Sequence, residues 1–368
     1  MKKHFLITFL VIISTTFLNT SKAQTFHFEA INAYWKMIEP LKKGDSLSHE
    51  TFEKFLSLEP NQIYIKNQGF IKDYLKRLRK AIEVVYMPQN SEILKTRVAA
   101  IEKDPASFWL TYKVYVYKQN EKVLRDFQSK LGSQEYIETS YQNTFSMLPK
   151  YLQVKDKNIN IYPLGIENDA IAGSGTVIAT LWTLYNADKI QKGALLGHEM
   201  HHVLRKPLDF KNVEKKDEGL MYFLNVVLNE GSADMIDKPT NLANEDVLPY
   251  GLSLRDFLIP QADSIISVVN NNIIELKNSG DKIIKTEKDY RNLIQWTSGH
   301  KPGYFMADII LRNGYKNQLL KNIQNPFQFI YLYNKAAKKD KKNPPLFADE
   351  SIKYIQIMEK KYWPTRYN

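Results

Sequence analysis

Within "GALLGHEMHHVLRKP", residues 193 to 207, three histidines and one glutamate fall together as His198-Glu199-Met200-His201-His202. Imidazole nitrogens bind transition metals, and a carboxylate beside them can move a proton, so this cluster is where metal-assisted chemistry is to be sought. Helix geometry decides which histidines act together. At about 100° per residue, His198 and His202 lie about 40° apart on one face and about one turn apart along the axis. Glu199 flanks that face on the His202 side, whereas His201 lies about 60° to the other side of His198. Pairing His198 with His201 would turn Glu199 away from the metal. The spacing therefore predicts His198 and His202 as ligands, Glu199 as the base acting on a water, and His201 as a residue of packing or local hydrogen bonding.

Zinc catalysis needs three protein ligands and an open position. The longer pattern H-E-x-x-H-x-x-G-x-x-H fails, because Arg205 and Leu208 stand where its glycine and third histidine would be. The next source is "LNEGSADMID", residues 228–237. Leu220, Phe223, Val227, Glu230 and Asp234 follow a 3-4-3-4 spacing, so one face of a helix turns from apolar to acidic. Glu230 could complete the metal triad. Asp234, one turn on, could accept a hydrogen bond from a ligand histidine's second nitrogen.

Hydrolysis of a carboxamide builds negative charge on the carbonyl oxygen, so a donor is expected opposite the base. Of seven histidines, His4, His27 and His49 lie near the N-terminus, which leaves His300 as the downstream candidate. Tyr304 follows four positions later and would share a helix face with it. Pro302 and Gly303 suggest that His300 lies on a loop entering that helix. Arg291 and Arg312 are further cations that nothing in the sequence selects.

The elements that must position these groups are mostly helical. From Phe26 to about Gln153 apolar residues recur three and four apart, with breaks at Pro40, Pro60, Pro88 and Pro105. The stretch 108–119 alternates in places but reads as helix. At about Asn158 the texture changes. "NINIYPLG" reads as a strand, and "GSGTVIATLWTLY", 173–185, as a second. Helices are then predicted over 188–205, 217–237, 255–278, 284–297, 302–313 and 347–361, the first capped by Asn186 or Asp188 and ended by Pro207. The fold class is mostly α (α+β), with a small sheet preceding the metal helix. The expected regions are 1–23 as a signal peptide, 24–153 as an N-terminal helical region, 154–240 as the zinc-binding core, and 241–368 as a helical region completing the cleft.

His198-Glu199-x-x-His202 followed by Asn229-Glu230-x-x-Ala233-Asp234 resembles the gluzincin zinc peptidases, of the thermolysin kind. The resemblance implies a gluzincin-like catalytic core with Zn2+ held by His198, His202 and Glu230. It also implies Glu199 as general base, Asp234 as the histidine's hydrogen-bond partner, and a downstream His or Tyr at the oxyanion. A strand before the metal helix, here 175–184, would pair with substrate backbone. The resemblance covers residues 173–237; the helical flanks do not look like thermolysin, and the whole resembles an uncharacterised family of exported zinc-dependent peptidases. Gly165-Ile166-Glu167-Asn168 faintly resembles the G-x-M-E-N segment with which gluzincin aminopeptidases hold a free amine, one position short and without the methionine. The expectation is an exported endopeptidase acting on peptides or proteins. The alternatives are an aminopeptidase, or an inactive binding or scaffold protein with a structural or vestigial metal.

Composition sets the boundaries. Lys2, Lys3 and His4, the apolar run Phe5 to Ile13 and the ending Ser21-Lys22-Ala23 read as a secretory signal cut after Ala23. Losing Lys2, Lys3 and Lys22 with no acid takes the formal charge from +11 to +8. No later stretch is long and apolar enough to span a bilayer, so no integral membrane segment is expected after cleavage. With no cysteine the protein must hold together by its core rather than by disulfides. The densest basic run, Lys335 to Lys342, could touch an anionic surface, but such runs are more often solvated helix ends. No nucleic-acid motif accompanies it.

Overall fold

The computed structural model describes residues 25–363 apart from 281 and 296, so the expected signal peptide lies outside the described residues. The chain is mostly helical around one small sheet. Four strands, β1 (Thr25–Phe26), β2 (Asn160–Leu164), β3 (Ala170–Gly173) and β4 (Thr176–Thr180), stand in the order β1-β2-β4-β3. β1–β2 and β2–β4 are parallel, and β3–β4 is an antiparallel hairpin. Its two-residue turn, Ser174-Gly175, has positive φ at both positions (49° and 77°), the mirror-image turn whose twist suits a tight hairpin. The stretch 173–185, expected as one strand, is therefore divided. Gly173 closes β3, β4 occupies Thr176–Thr180, and the remainder is helical, α2 below. The cue was "GSG", a hairpin signal read as the start of a strand.

Five helices carry the site: α1 (Gln134–Phe145), α2 (Leu181–Asp188), α3 (Ala194–Leu204), α4 (Lys215–Ala243) and α5 (His300–Arg312). The helix expected over 188–205 starts only at Ala194. Gly193 takes φ 68° at its cap, where a Cβ would lie 2.7 Å from Ser140 Oγ. α3 is buried along nearly its whole first two turns, Ala194 through His201, so it runs through the interior rather than over it. α4 and α5 cross with almost no side chain between them: a Cβ on Gly231 would meet the Gly303 carbonyl at 2.4 Å, and one on Gly303 the Val227 carbonyl at 2.6 Å. That close approach brings the first residue of α5, His300, beside Glu230. One apolar core runs from Ile38 and Tyr117 through Leu196, Phe223 and Ile309 to Phe329, tying all three expected regions together. Among the described residues no helix is long and apolar enough to cross a membrane.

Candidate metal centre

α3 presents His198 and His202 one turn apart, and α4 brings Glu230 across from them. His198 Nε2 and His202 Nε2 lie 3.1 Å apart, and Glu230 Oε2 is 3.8 Å from the first and 3.3 Å from the second. Donors held at about 2.0–2.1 Å around a tetrahedral ion stand about 3.4 Å from each other, so the donor set fits zinc in both chemistry and spacing. Two nitrogens that close cannot both carry a proton facing each other, so without a metal one ring donates to the other.

The surrounding groups fix these three. His198 is 2% exposed, and its Nδ1 meets Asp237 Oδ1 at 3.1 Å; Asp234 Oδ1 is more distant, at 3.8 Å. Asp237 is itself held by Lys238 Nζ at 2.8 Å. Asp234 reaches a different ring, accepting from His300 Nδ1 at 2.9 Å. The acid nearest His198 is thus Asp237, which the sequence reading did not single out, although it extends the same seam by three residues. Glu230 is oriented through its other oxygen: Asn229 Nδ2 donates to Oε1 at 2.9 Å, and buried Arg205 donates to Asn229 Oδ1 at 3.0 Å. Glu230 Oε2 is left to face His198, His202 and His300, the last at 3.3 Å.

Electrostatics follow burial and partner. Burial pushes the Glu199 carboxyl up, partly offset by His198 and His202. Burial pushes Glu230 the same way, but the imidazoles of His202 and His300 outweigh it and hold that carboxyl well below its usual range. Burial disfavours charge on His198 and His300, yet Asp237 beside the first and Asp234 and Glu230 beside the second raise both rings above the ordinary imidazole value. A metal entering the free protein must displace a proton from His198, so affinity should fall in acid.

His201 points away from the centre, fully buried with Nε2 donating to the Met147 carbonyl at 3.2 Å, and burial holds its pKa well below the usual value. His300 lines the cleft. Tyr304 is 9% exposed and is not among the cleft-lining residues, because one further turn along α5 carries it into the core. Glu167 is committed elsewhere: Lys113 and Tyr74 grip its two oxygens, with Tyr74 at 2.7 Å. Arg291 pairs with Glu287 and Arg312 with Asp340 and Asp308, all outside the cleft. In the basic run, Lys335 and Lys339 lie over the Tyr315 ring.

The cleft has two chambers that share His198 and Glu199. One, of about 380 Å³, runs along β3 past His202 and Glu230; the other, of about 260 Å³, opens toward Lys238. The strand expected to meet substrate, 175–184, holds β4, which has β2 on one side and β3 on the other and hence no free edge. Of the two edge strands, β1 and β3, it is β3 that lines the cleft. The Thr180 N–H bonds the Asp169 carbonyl, so by antiparallel alternation Ile171 and Gly173 pair with β4, while Ala170 and Ala172 turn their backbone groups outward. Asp169 already caps the Ala170 N–H at 2.8 Å.

Residues 52–342 match the family described as "Putative zinc dependent peptidase (DUF5700)". No curated protein and no solved structure matches the chain.

Proposed function

The chain belongs to this family of zinc-dependent peptidases, and from that premise we propose that it is an exported endopeptidase of gluzincin type. The observation that carries the reading is the convergence of His198 Nε2, His202 Nε2 and Glu230 Oε2 beside the buried carboxylate of Glu199 in an open cleft. Those three residues would hold zinc, which when bound would supply the Lewis acidity that lowers the pKa of a water and polarises a carbonyl. Glu199 takes the water's proton and returns it to the leaving amine; its burial raises its basicity for that task. His300 gives Nδ1–H to Asp234, and the neighbouring carboxylates favour the doubly protonated ring; its Nε2–H, which faces Glu230 Oε2 at 3.3 Å, would turn to the developing oxyanion once that oxygen is committed to the metal. The outward backbone groups of Ala172 are placed to pair with an extended substrate.

Two chambers flanking Glu199 leave room for substrate on both sides of the bond, which favours internal cleavage. Glu167, the candidate for gripping a terminal amine, is already neutralised by Lys113. The N-terminal signal pattern supports export. The test is metal analysis of the protein followed by digestion of a peptide library with and without chelator. Zinc at one per chain, cleavage abolished by chelator, and a Glu199→Gln protein that keeps zinc but loses turnover are expected. Turnover by zinc-loaded Glu199→Gln would overturn the mechanism.

A further inference from the structure

The chamber beyond Glu199 is uneven in composition. Leu195, Ala187, Leu248, Leu252 and Phe257 make one side of its wall apolar, and Lys238 and Asn241, from the last turns of α4, face it beside Asp237 and Glu199. Both are buried, 8% and 5% exposed. A buried ammonium is costly unless its donors are met. Among the described residues the Lys238 ammonium donates to Asp237 Oδ2 alone, which leaves two of its three N–H groups for the chamber. Asp237 shares its carboxylate between Lys238 and His198 Nδ1, and Asp234 and Glu199 stand near enough to act on the ammonium as well, so what Lys238 offers the chamber is its free N–H donors. Asn241 approaches the same Asp237 oxygen at 3.5 Å through its amide, and its side-chain carbonyl has no hydrogen bond among the described residues. The opposite sign lies at the mouth: Asp169 is exposed, fixed by Gln68 at 3.0 Å and by the Ala170 N–H.

We propose that this chamber receives an acidic side chain of the substrate, aspartate or glutamate, flanking the scissile bond, with Lys238 as the specificity-determining cation. The inference rests on the peptidase reading above and deepens it. The apolar wall takes the methylenes of such a side chain, and its carboxylate meets the free donors of Lys238. A glutamine keeps the shape and loses the charge. A lysine sets a second cation directly against the free donors of Lys238, although Asp169, Glu199 and Asp237 line the same chamber.

The test reads binding rather than turnover. Fluorescein-labelled peptides, alike except for Glu, Gln or Lys on one or the other side of a central peptide bond, are titrated into zinc-loaded Glu199→Gln protein and followed by anisotropy. In one of the two placements the Glu peptide is expected to bind about tenfold more tightly than the Gln peptide, the scale of a charge-assisted bond, and more tightly still than the Lys peptide. Lys238→Met in the same background should erase that preference. Because that substitution leaves Asp237 without its cation, Leu248→Asp provides a second variant: it keeps the Asp237–Lys238 pair and sets a like charge in the half-buried wall. It should weaken the Glu peptide about fivefold or more and leave the Gln peptide nearly unchanged. Equal affinity for Glu and Gln peptides in both placements, tighter binding of Lys, no measurable binding of Glu, or a Glu preference that survives both substitutions would overturn the proposal. A Glu peptide that binds in this way but is left intact by the wild-type zinc protein would count against the peptidase reading and not against the chamber.

Discussion

Replacing Asp237 by asparagine separates the two acids that α4 sets beside the metal centre. Asp237 Oδ1 lies at 3.1 Å from His198 Nδ1, within hydrogen-bond range, whereas Asp234 Oδ1 at 3.8 Å is not. Asparagine keeps an acceptor oxygen in nearly the same place but removes the charge and leaves Lys238 without its anion. A charge-assisted hydrogen bond is worth about twice a neutral one, a difference of about 1.4 kcal/mol, or about tenfold in an equilibrium constant. Zinc affinity should therefore fall about tenfold in Asp237→Asn, the low end of what losing a ligand histidine's support costs. Asp234→Asn leaves the His198 bond untouched and strikes His300 instead, so its zinc affinity should stay within about threefold of wild type while kcat falls. Competition against a chromogenic chelator near neutral pH gives both dissociation constants, and circular dichroism confirms that both variants fold. The reverse order, with Asp234→Asn losing zinc and Asp237→Asn keeping it, would refute the assignment and restore the partner that the thermolysin-like pattern implies.

His300→Gln should lower kcat about 100-fold with zinc content retained, the scale of losing one oxyanion donor; unchanged kcat in steady-state kinetics would remove His300 from the chemistry. Gly303→Ala places a Cβ 2.6 Å from the Val227 carbonyl, so the α4–α5 crossing must open. Urea denaturation should show a loss of about 1–3 kcal/mol, accompanied by lower kcat because His300 begins the displaced helix; full stability would contradict the packing argument. Asp188 tests the pH dependence of folding. Burial raises its carboxyl to about 6, even with the Gly193 N–H and Tyr136 hydroxyl pulling the other way. A raised carboxyl contributes stability below its unfolded pKa and loses that contribution as pH rises through the folded value. Both donors meet the same oxygen, Oδ1, so Asp188→Asn can keep both bonds without the buried charge. The metal-free variant should exceed wild type by about 1–3 kcal/mol at pH 8 and lose that advantage by pH 4; an advantage independent of pH would refute the attribution.

The pairing of His198 with His202 on one helix face was legible because two histidines and a glutamate at fixed spacing leave few arrangements, and the approach of Glu230 because an acidic face continued an apolar seam. Reading that seam one step further would have reached Asp237. Lys238 and Asn241 were not legible, since a lysine and an asparagine near a helix end normally face water, and only the tertiary packing of α4 buries them. β3 was missed for a local reason: its four residues, Ala170-Ile171-Ala172-Gly173, have little strand propensity, and their pairing follows from the Ser174-Gly175 turn. Tyr304 illustrates the limit of face arguments. Angular position along a helix places it with His300, but the rise of about 6 Å over four residues carries it from the cleft into the core. The expected helix over 255–278 breaks for a similarly local reason, with Gln261 at φ 64° separating Arg255–Leu258 from Ala262–Asn278.

The division of labour between Asp234 and Asp237 follows from helix geometry once Glu230 faces the metal. Seven residues on, Asp237 returns to within about 20° of Glu230 on one side; four residues on, Asp234 stands about 40° to the other. One rigid helix can therefore address histidines on two other elements, His198 on α3 and His300 on α5, whose rings stack at 5.8 Å. Because both partners come from α4, the relative placement of His198 and His300, the proposed ligand and the proposed oxyanion donor, depends on how α4 crosses α5 at Gly231 and Gly303. A change at that crossing should disturb every role together. A change at either aspartate should disturb one, so zinc affinity and turnover can be altered separately even though the residues responsible lie less than one turn apart.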